Sequence, residues 1–456
     1  MIVGNWHHWV HIACNYIIRF GVLSILLIDI CAYYWMAARI TFCAAVLLWR
    51  CFMDLSVILI FGMISILALV LLWHEGLIVK EKHLIIAVAA IAAAFAVRAA
   101  MLDYRSGDYN SCLMKWVDYY RTHGGFAALK DSVGNYNIPY LYFLALFSYS
   151  STKDLYLIKL LSIFFDVVLA FGMMKLAGVF TSSTKKRMAA FLITLLLPTV
   201  VLNGAIWGQC DSIYAAFAVL ALWLVMTGRP KLSMVCMALS FGFKLQAVFI
   251  MPLYLVMLFA KKIKFRDYFI FPLTYIMLIL PAVIAGRPFW EAFTIYFDTA
   301  HTIGLGLNYN SPSFLALISG DAGTSAVSAG SITFTFLYVF MIFFWMWRRR
   351  KSLGSETLLY AALLFVVGIP FLLPHMHDRY FFMADVLTLL PAILYPPFAS
   401  VTILASFASL LCYYSYFNLK YLFPIQYGTI ALMGVMVILL ITTADRLNSH
   451  RFDKLK

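Results

Sequence analysis

Between residues 85 and 443 the sequence returns again and again to apolar runs long enough for membrane helices, and short basic clusters fill the gaps. The runs cover 85–102, 155–180, 188–202, 212–226, 232–243, 248–260, 268–285, 332–347, 357–373, 381–395, 399–417 and 422–443. A crossing helix needs roughly 20 apolar residues, fewer where neighbours bury it. With 64% hydrophobic and 12% charged residues, the chain has about half the charge of an ordinary soluble domain. Its mean hydropathy is +0.91. Water cannot solvate a fold of this composition, so lipid is the expected solvent.

Charge placement sets the expected orientation. The net charge of +14 is gathered into Lys185, Lys186 and Arg187, then Lys261, Lys262 and Lys264, then Arg348 to Lys351, and a basic tail from Arg446. When sides alternate from an outward loop after residue 102, every basic cluster falls inside. This pattern argues against nucleic acid, which needs a continuous basic surface. The same alternation puts 103–138, 203–211, 286–330 and 374–380 outside. The aromatic stretch 139–150 is too short to cross and reads as an interfacial helix. Two or three more helices are expected before residue 85, with breaks near Arg39 and at 50–54, and the loop 75–82 inside. The expectation is an all-α, polytopic transmembrane helical bundle with about 14 membrane helices and helical external loops. Residues 1–84 form extra N-terminal membrane helices and 85–456 the main membrane domain.

The unusual polar residues fall in the outward segments. Four of the chain's 20 acidic residues, Asp103, Asp108, Asp118 and Asp131, lie in the first loop. Asp108 follows Gly107 where a helix begins, so it reads either as an N-cap or as a general base. Asp118 reads as a helix-surface acid. Asn203, Trp207, Gln209 and Asp211 form a second group. Asp211 could cap the next helix, and Trp207 could stack on a sugar or anchor at the interface. Lys244 and Gln246 interrupt an apolar stretch. Such a lysine either snorkels to headgroups or holds a lipid phosphate. His375, His377, Asp378 and Arg379 form the fourth group, where the Arg fork suits a phosphate. His-x-His-Asp without a further ligand motif is a weak zinc signal. The loop 304–312, with Asn308 and Asn310, suits sugar binding or a simple turn.

Other readings are spare. The eight cysteines form no C-x-x-C pair; a Cys112–Cys210 disulfide is conceivable, although chance placement is the better reading. The first eleven residues carry no basic n-region or cleavage site, so no removable signal peptide is expected. Asp166 and Lys175 lie within one apolar run. No P-loop, G-x-S-x-G, H-E-x-x-H or dinucleotide fingerprint occurs.

The ordered set Ser106-Gly-Asp108-Tyr, Gly134-Asn-Tyr-Asn-Ile-Pro-Tyr140, Trp207-Gly-Gln-Cys-Asp-Ser212, Phe243-Lys-Leu-Gln246, Asn308 to Pro312 and His375-Met-His-Asp-Arg-Tyr380 resembles the multispanning GT-C glycosyltransferases. The likeness is strongest to bacterial proteins similar to the second mannosyltransferase of GPI-anchor synthesis, and it runs from about residue 85 through 385. It implies a GT-C-like catalytic domain over 85–456 and an inverting transfer of mannose or another hexose. The donor would be a polyprenyl-phosphate sugar, and the acceptor a glycan, glycolipid or protein at the outer face of a bacterial plasma membrane. Asp108 becomes the base; Lys244, Arg379 and His377 hold the donor phosphate. Trp207, Gln209, Asp211, Gln246, Asn137, Asn310 and His375 bind substrate. No cofactor and no metal are expected, because the lipid-linked sugar is a substrate and Lys and Arg can carry its charge. The first loop lacks the paired acids of some GT-C branches. A transporter or flippase of lipid-linked sugars, or a surface-glycan polymerase or ligase, is the alternative.

Overall fold

The computed structural model describes residues 55–301, 306–318 and 324–452, and it is all-helical but for one two-residue bridge. The helices expected before residue 55, with their breaks, lie outside the described residues. α1 (Leu55–His74) and α2 (Glu81–Ala100) pair beside the bundle. A π-helical turn (Tyr109–Leu113) then leads into α3 (Met114–Thr122), and α4 (Ile138–Phe147) is the short aromatic helix read as interfacial. Next come α5 (Asp154–Phe180), α6 (Thr184–Leu196), α7 (Asp211–Met226), α8 (Pro230–Phe243), α9 (Pro252–Phe259) and α10 (Ile270–Ile284). The chain ends with α11 (Phe289–His301), α12 (Thr324–Arg348), α13 (Ser355–Leu372), α14 (Phe382–Leu394), α15 (Ala399–Asn418) and α16 (Gln426–Phe452).

Among the described residues, eight helices are long and apolar enough to cross a membrane, or nine if one bent pair counts as a span. By length the described residues therefore account for eight or nine of the expected total of about 14. α4, α7, α8, α9 and α14 are apolar but shorter, and they lean on neighbours instead. The expected span 188–202 is the bent pair. Pro198 cannot continue the ladder of α6, so the chain turns by 46° there and runs on to Trp207.

Burial is arranged as a bilayer would require. α13 is enclosed along its whole length, while α1, α10 and α12 keep broad faces of Leu, Ile, Met and Phe exposed. Faces of that size are costly in water. Charges within α5 are paired. Arg98 donates to Asp166 through Nε at 3.0 Å and Nη2 at 2.8 Å, and Ser212 donates to the other oxygen. Lys175 and Arg187 both meet Glu75. These pairs close Asp166 and Lys175 against protein partners, as buried charge demands.

Hydrogen bonds also sort the loops by end. Lys186 donates to the Leu394 carbonyl and Arg446 pairs with Glu356, joining the basic segments at one end. The segments 103–138, 203–211, 306–318 and 374–380 meet at the other, which we call the site end.

Candidate active site

Two local features aim the first loop. Lys159 donates to the carbonyls of Met101, Leu102 and Tyr104 at 2.8, 3.0 and 2.7 Å, pinning the turn that follows α2. Ser106 Oγ donates to the Trp207 carbonyl at 2.7 Å and accepts from the Tyr109 backbone at 3.2 Å. Ser106 thus takes the capping duty that the sequence offered to Asp108. The Asp108 side chain makes no cap bond. It turns instead toward the second segment.

There it is gripped from three sides. Trp207 Nε1 donates to Asp108 Oδ2 at 3.0 Å and Gln209 Nε2 to the same oxygen at 2.5 Å. Tyr416 donates to Oδ1 at 3.0 Å, while its oxygen accepts from the Asp108 backbone at 3.1 Å. A carboxylate offers about four acceptor positions, so one remains for a substrate hydroxyl. Asp108 is 33% exposed, which leaves that position reachable. The other acids are occupied elsewhere: Asp103 by Tyr156, Asp131 by Tyr119, and exposed Asp118 beside Arg121.

The donors are themselves held. Tyr136 donates to Gln209 Oε1 at 2.7 Å, which turns the amide nitrogen toward Asp108. Residues Leu202–Trp207 form a second π-helical turn, and Gly208 ends it with φ of 73°, a conformation glycine adopts without strain. π-turns concentrate at functional sites, and here both adjoin the Asp108 contact. The Trp207 ring is fully buried, stacked on Tyr416 at 3.9 Å with the Arg379 guanidinium over it at 5.1 Å. It therefore cannot stack on a sugar or anchor at an interface, and its part is to donate to Asp108.

Arg379 is the hub of charge. Its Nη1 lies 3.8 Å from Asp108 and 3.4 Å from Asp378, and its Nε lies 3.8 Å from Asp211. Among the described residues its only hydrogen bond is the long one to Asp378, and the buried Nε has none. A guanidinium carries five donors, so this fork is largely unspent. Burial works against its charge, and the carboxylates of Asp378, Asp108 and Asp211 around it outweigh that and keep Arg379 protonated. Lys244 does not snorkel. It is buried at the break after α8 and grips Asp211 at 2.6 Å. Asp211 does not cap α7; it accepts from Asn203 at 2.8 Å as well.

The fourth segment is shaped by a parallel bridge between β1 (Asn308–Tyr309) and β2 (Met376–His377). His377 stacks on Tyr309 at 4.8 Å. Burial, with the Arg379 and Lys244 cations, pushes its imidazole down to about 4, so it is neutral at neutral pH. Burial pushes the Asp378 carboxyl up to about 6, Arg379 notwithstanding.

Four other expected substrate contacts have protein partners or are buried in the structure. His375, left-handed at φ 61°, spends one ring nitrogen on the Gly306 carbonyl at 2.7 Å and the other on Ser328 at 3.1 Å. Asn137 is 1% exposed; it caps α4 and reaches Tyr275. Asn310 is held to the Cys412 carbonyl at 2.9 Å and borders Asp378. Gln246 is buried beside Tyr380. Cys112 and Cys210 are free thiols. Sequence reasoning missed Tyr416, Tyr136 and Ser106. The aromatic run from Tyr413 to Phe417 was the one available signal for Tyr416, and it looks like an ordinary interfacial belt.

The acids are spaced by the two cations, and among the described residues no three acid, His or Cys side chains converge as a metal site would require. What remains is a reachable carboxylate beside an under-used guanidinium: a proton acceptor next to an anion receptor. No family model matches the chain, and no curated protein or solved structure matches it significantly.

Proposed function

We propose that the protein is a membrane glycosyltransferase that moves a hexose from a polyprenyl-phosphate donor to a glycan, lipid or protein acceptor at the outer face of a bacterial plasma membrane. The observation that carries this reading is the 3.8 Å approach of Asp108 and Arg379, brought together from segments far apart in the chain. The motif order that resembles GT-C enzymes supports the same chemistry, and the charge pattern supports an outward site.

In the proposed reaction Asp108 removes the proton of the acceptor hydroxyl. The oxygen forms a bond to the anomeric carbon as the bond from that carbon to the phosphate oxygen breaks. The electron pair leaves with the phosphate, and the configuration inverts. Arg379 supports the developing charge, a stabilisation that is strong in a water-poor site. Lys244 acts one step back, fixing Asp211 and with it the orientation of Arg379. Trp207, Gln209 and Tyr416 hold Asp108 so that its free position faces the acceptor. Asp166 and Lys175, the two charges within α5 that a transporter could use, are instead paired with Arg98 and Glu75, which weighs against a transporter.

The test is turnover of a radiolabelled polyprenyl-phosphate hexose by the reconstituted chain with a crude envelope-glycan acceptor. New glycosidic product that vanishes in Asp108→Asn supports the reading. Sugar crossing the vesicle without bond formation, or full transfer by Asp108→Asn, defeats it.

A further inference from the structure

We infer that a second cavity at the site end binds an anionic glycan. It measures about 980 Å³ and is lined by loop and helix-end residues including Arg105, Lys115, Arg121, Tyr149 and Lys153. Its volume is at the upper end of the range for small-molecule sites, about 300–1,000 Å³.

The charges inside are unevenly spent. Asp154 takes Arg121 at 2.5 Å, Asp118 stands 3.7 Å from the same guanidinium, and Asp103 accepts from Tyr156. The acids thus have partners. Arg105 and Lys115 are exposed and make no hydrogen bond or ion pair to any described residue. Lys153 has only the ring of Tyr156, at 5.5 Å. The cavity therefore offers cations to an incoming anion.

Its walls favour a sugar over a lipid. Tyr149 is 63% exposed yet rigid, stacked on Phe126 and bonded through its hydroxyl to the Phe126 amide at 3.0 Å and the Gly124 carbonyl at 3.2 Å. A fixed, open aromatic face suits a pyranose ring. Ser150 and Ser151 add hydroxyls at its rim, while those of Ser148 and Thr152 are spent on the Ala145 carbonyl and on Ser56. No apolar trough for acyl chains accompanies them among the lining residues. Arg105 also sits three residues before Asp108 on the segment clamped by Lys159 and Ser106, so the cavity shares the loop that carries the proposed base, although Asp108 itself faces away from it toward Trp207 and Tyr416. Only its role as the acceptor rests on the proposed function; the binding does not.

The experiment uses the full chain in phosphatidylcholine nanodiscs and a fluorescent oligogalacturonate. Saturable binding is expected, weakened about tenfold or more in R105E/K115E, restored in R105K/K115R, and not displaced by maltohexaose. Absence of binding, equal affinity in R105E/K115E, or displacement by maltohexaose overturns the site. Equal competition by glycerol phosphate marks a headgroup site and overturns the glycan assignment. D108N is expected to bind the oligomer as tightly as the parent, so loss of transfer and loss of this site are read separately.

Discussion

Replacing Lys244 by methionine tests whether a buried ion pair holds the centre of the site. Lys244 Nζ lies 2.6 Å from Asp211 Oδ1, with the two side chains 8% and 0% exposed. At that separation the attraction is about 6 kcal/mol for an effective dielectric near 20. Desolvating each ion costs several kcal/mol, so the intact pair gains little over an apolar pair of the same shape. Breaking it is different. K244M leaves the Asp211 carboxylate buried with Asn203 at 2.8 Å and Arg379 at 3.8 Å as its remaining support. Those two place the expected loss at the low end for a broken buried pair, about 3 kcal/mol. D211N should cost a similar amount, and K244M/D211N less than the sum, with a coupling of about 2 kcal/mol. The measurement is reversible unfolding by steric trapping in bicelles, run on all four proteins of the cycle. If K244M lies within about 0.5 kcal/mol of the parent, or the double variant is additive, the pair is not structural. Lys244 would then be available to contact the donor directly.

Asp108→Asn is expected to lower turnover about 10²- to 10⁴-fold with little change in helicity, while Asp118→Asn, on an exposed helix face, leaves transfer intact; steady-state kinetics with circular dichroism check both. Tyr416→Phe deletes one of the three donors on Asp108, so turnover should fall about tenfold with donor affinity unchanged, and an equal loss in both would make Tyr416 merely structural. The loop 375–379 should show opposed pH effects. Asp378, raised to about 6, contributes stability that is full below about 4 and lost as pH rises through about 6. His377, lowered from 6.5 to about 4, contributes stability that is full above 6.5 and lost as pH falls through about 4. The two offset between pH 4 and 6, so melting of the parent should be nearly flat there, whereas Asp378→Asn should melt higher as pH rises; a flat variant would show that the two groups do not titrate as the burial implies.

The helices were legible because each is written locally. The run 155–180 differs from α5 by one residue, and 357–373 lies almost on α13. Where a local break has two outcomes, reading stopped. The stretch 188–202 looks like one span; Pro198 bends it, and the π-turn beyond carries Trp207 to the site. Asp108 could be cap or base by spacing alone, and the structure removes the cap reading, because Ser106, two residues earlier, takes the cap. Tyr416 lies 308 residues from Asp108, and nothing near it in the chain marks the contact. His375 looked chemically promising, yet both of its nitrogens serve to tie the loop down.

The sequence alone determined the class of fold, because apolar length and the cost of unpaired backbone in lipid leave helices as the solution for such runs. It also determined which segments share an end, since alternation of helices and placement of basic residues are properties of order along the chain. Only the tertiary structure decided which polar residues touch. That choice depends on helix rotation and tilt, set by the packing of α7 on α5 and of α15 on α14 and α16, and a small rotation separates a donor aimed at Asp108 from one aimed at a neighbouring turn.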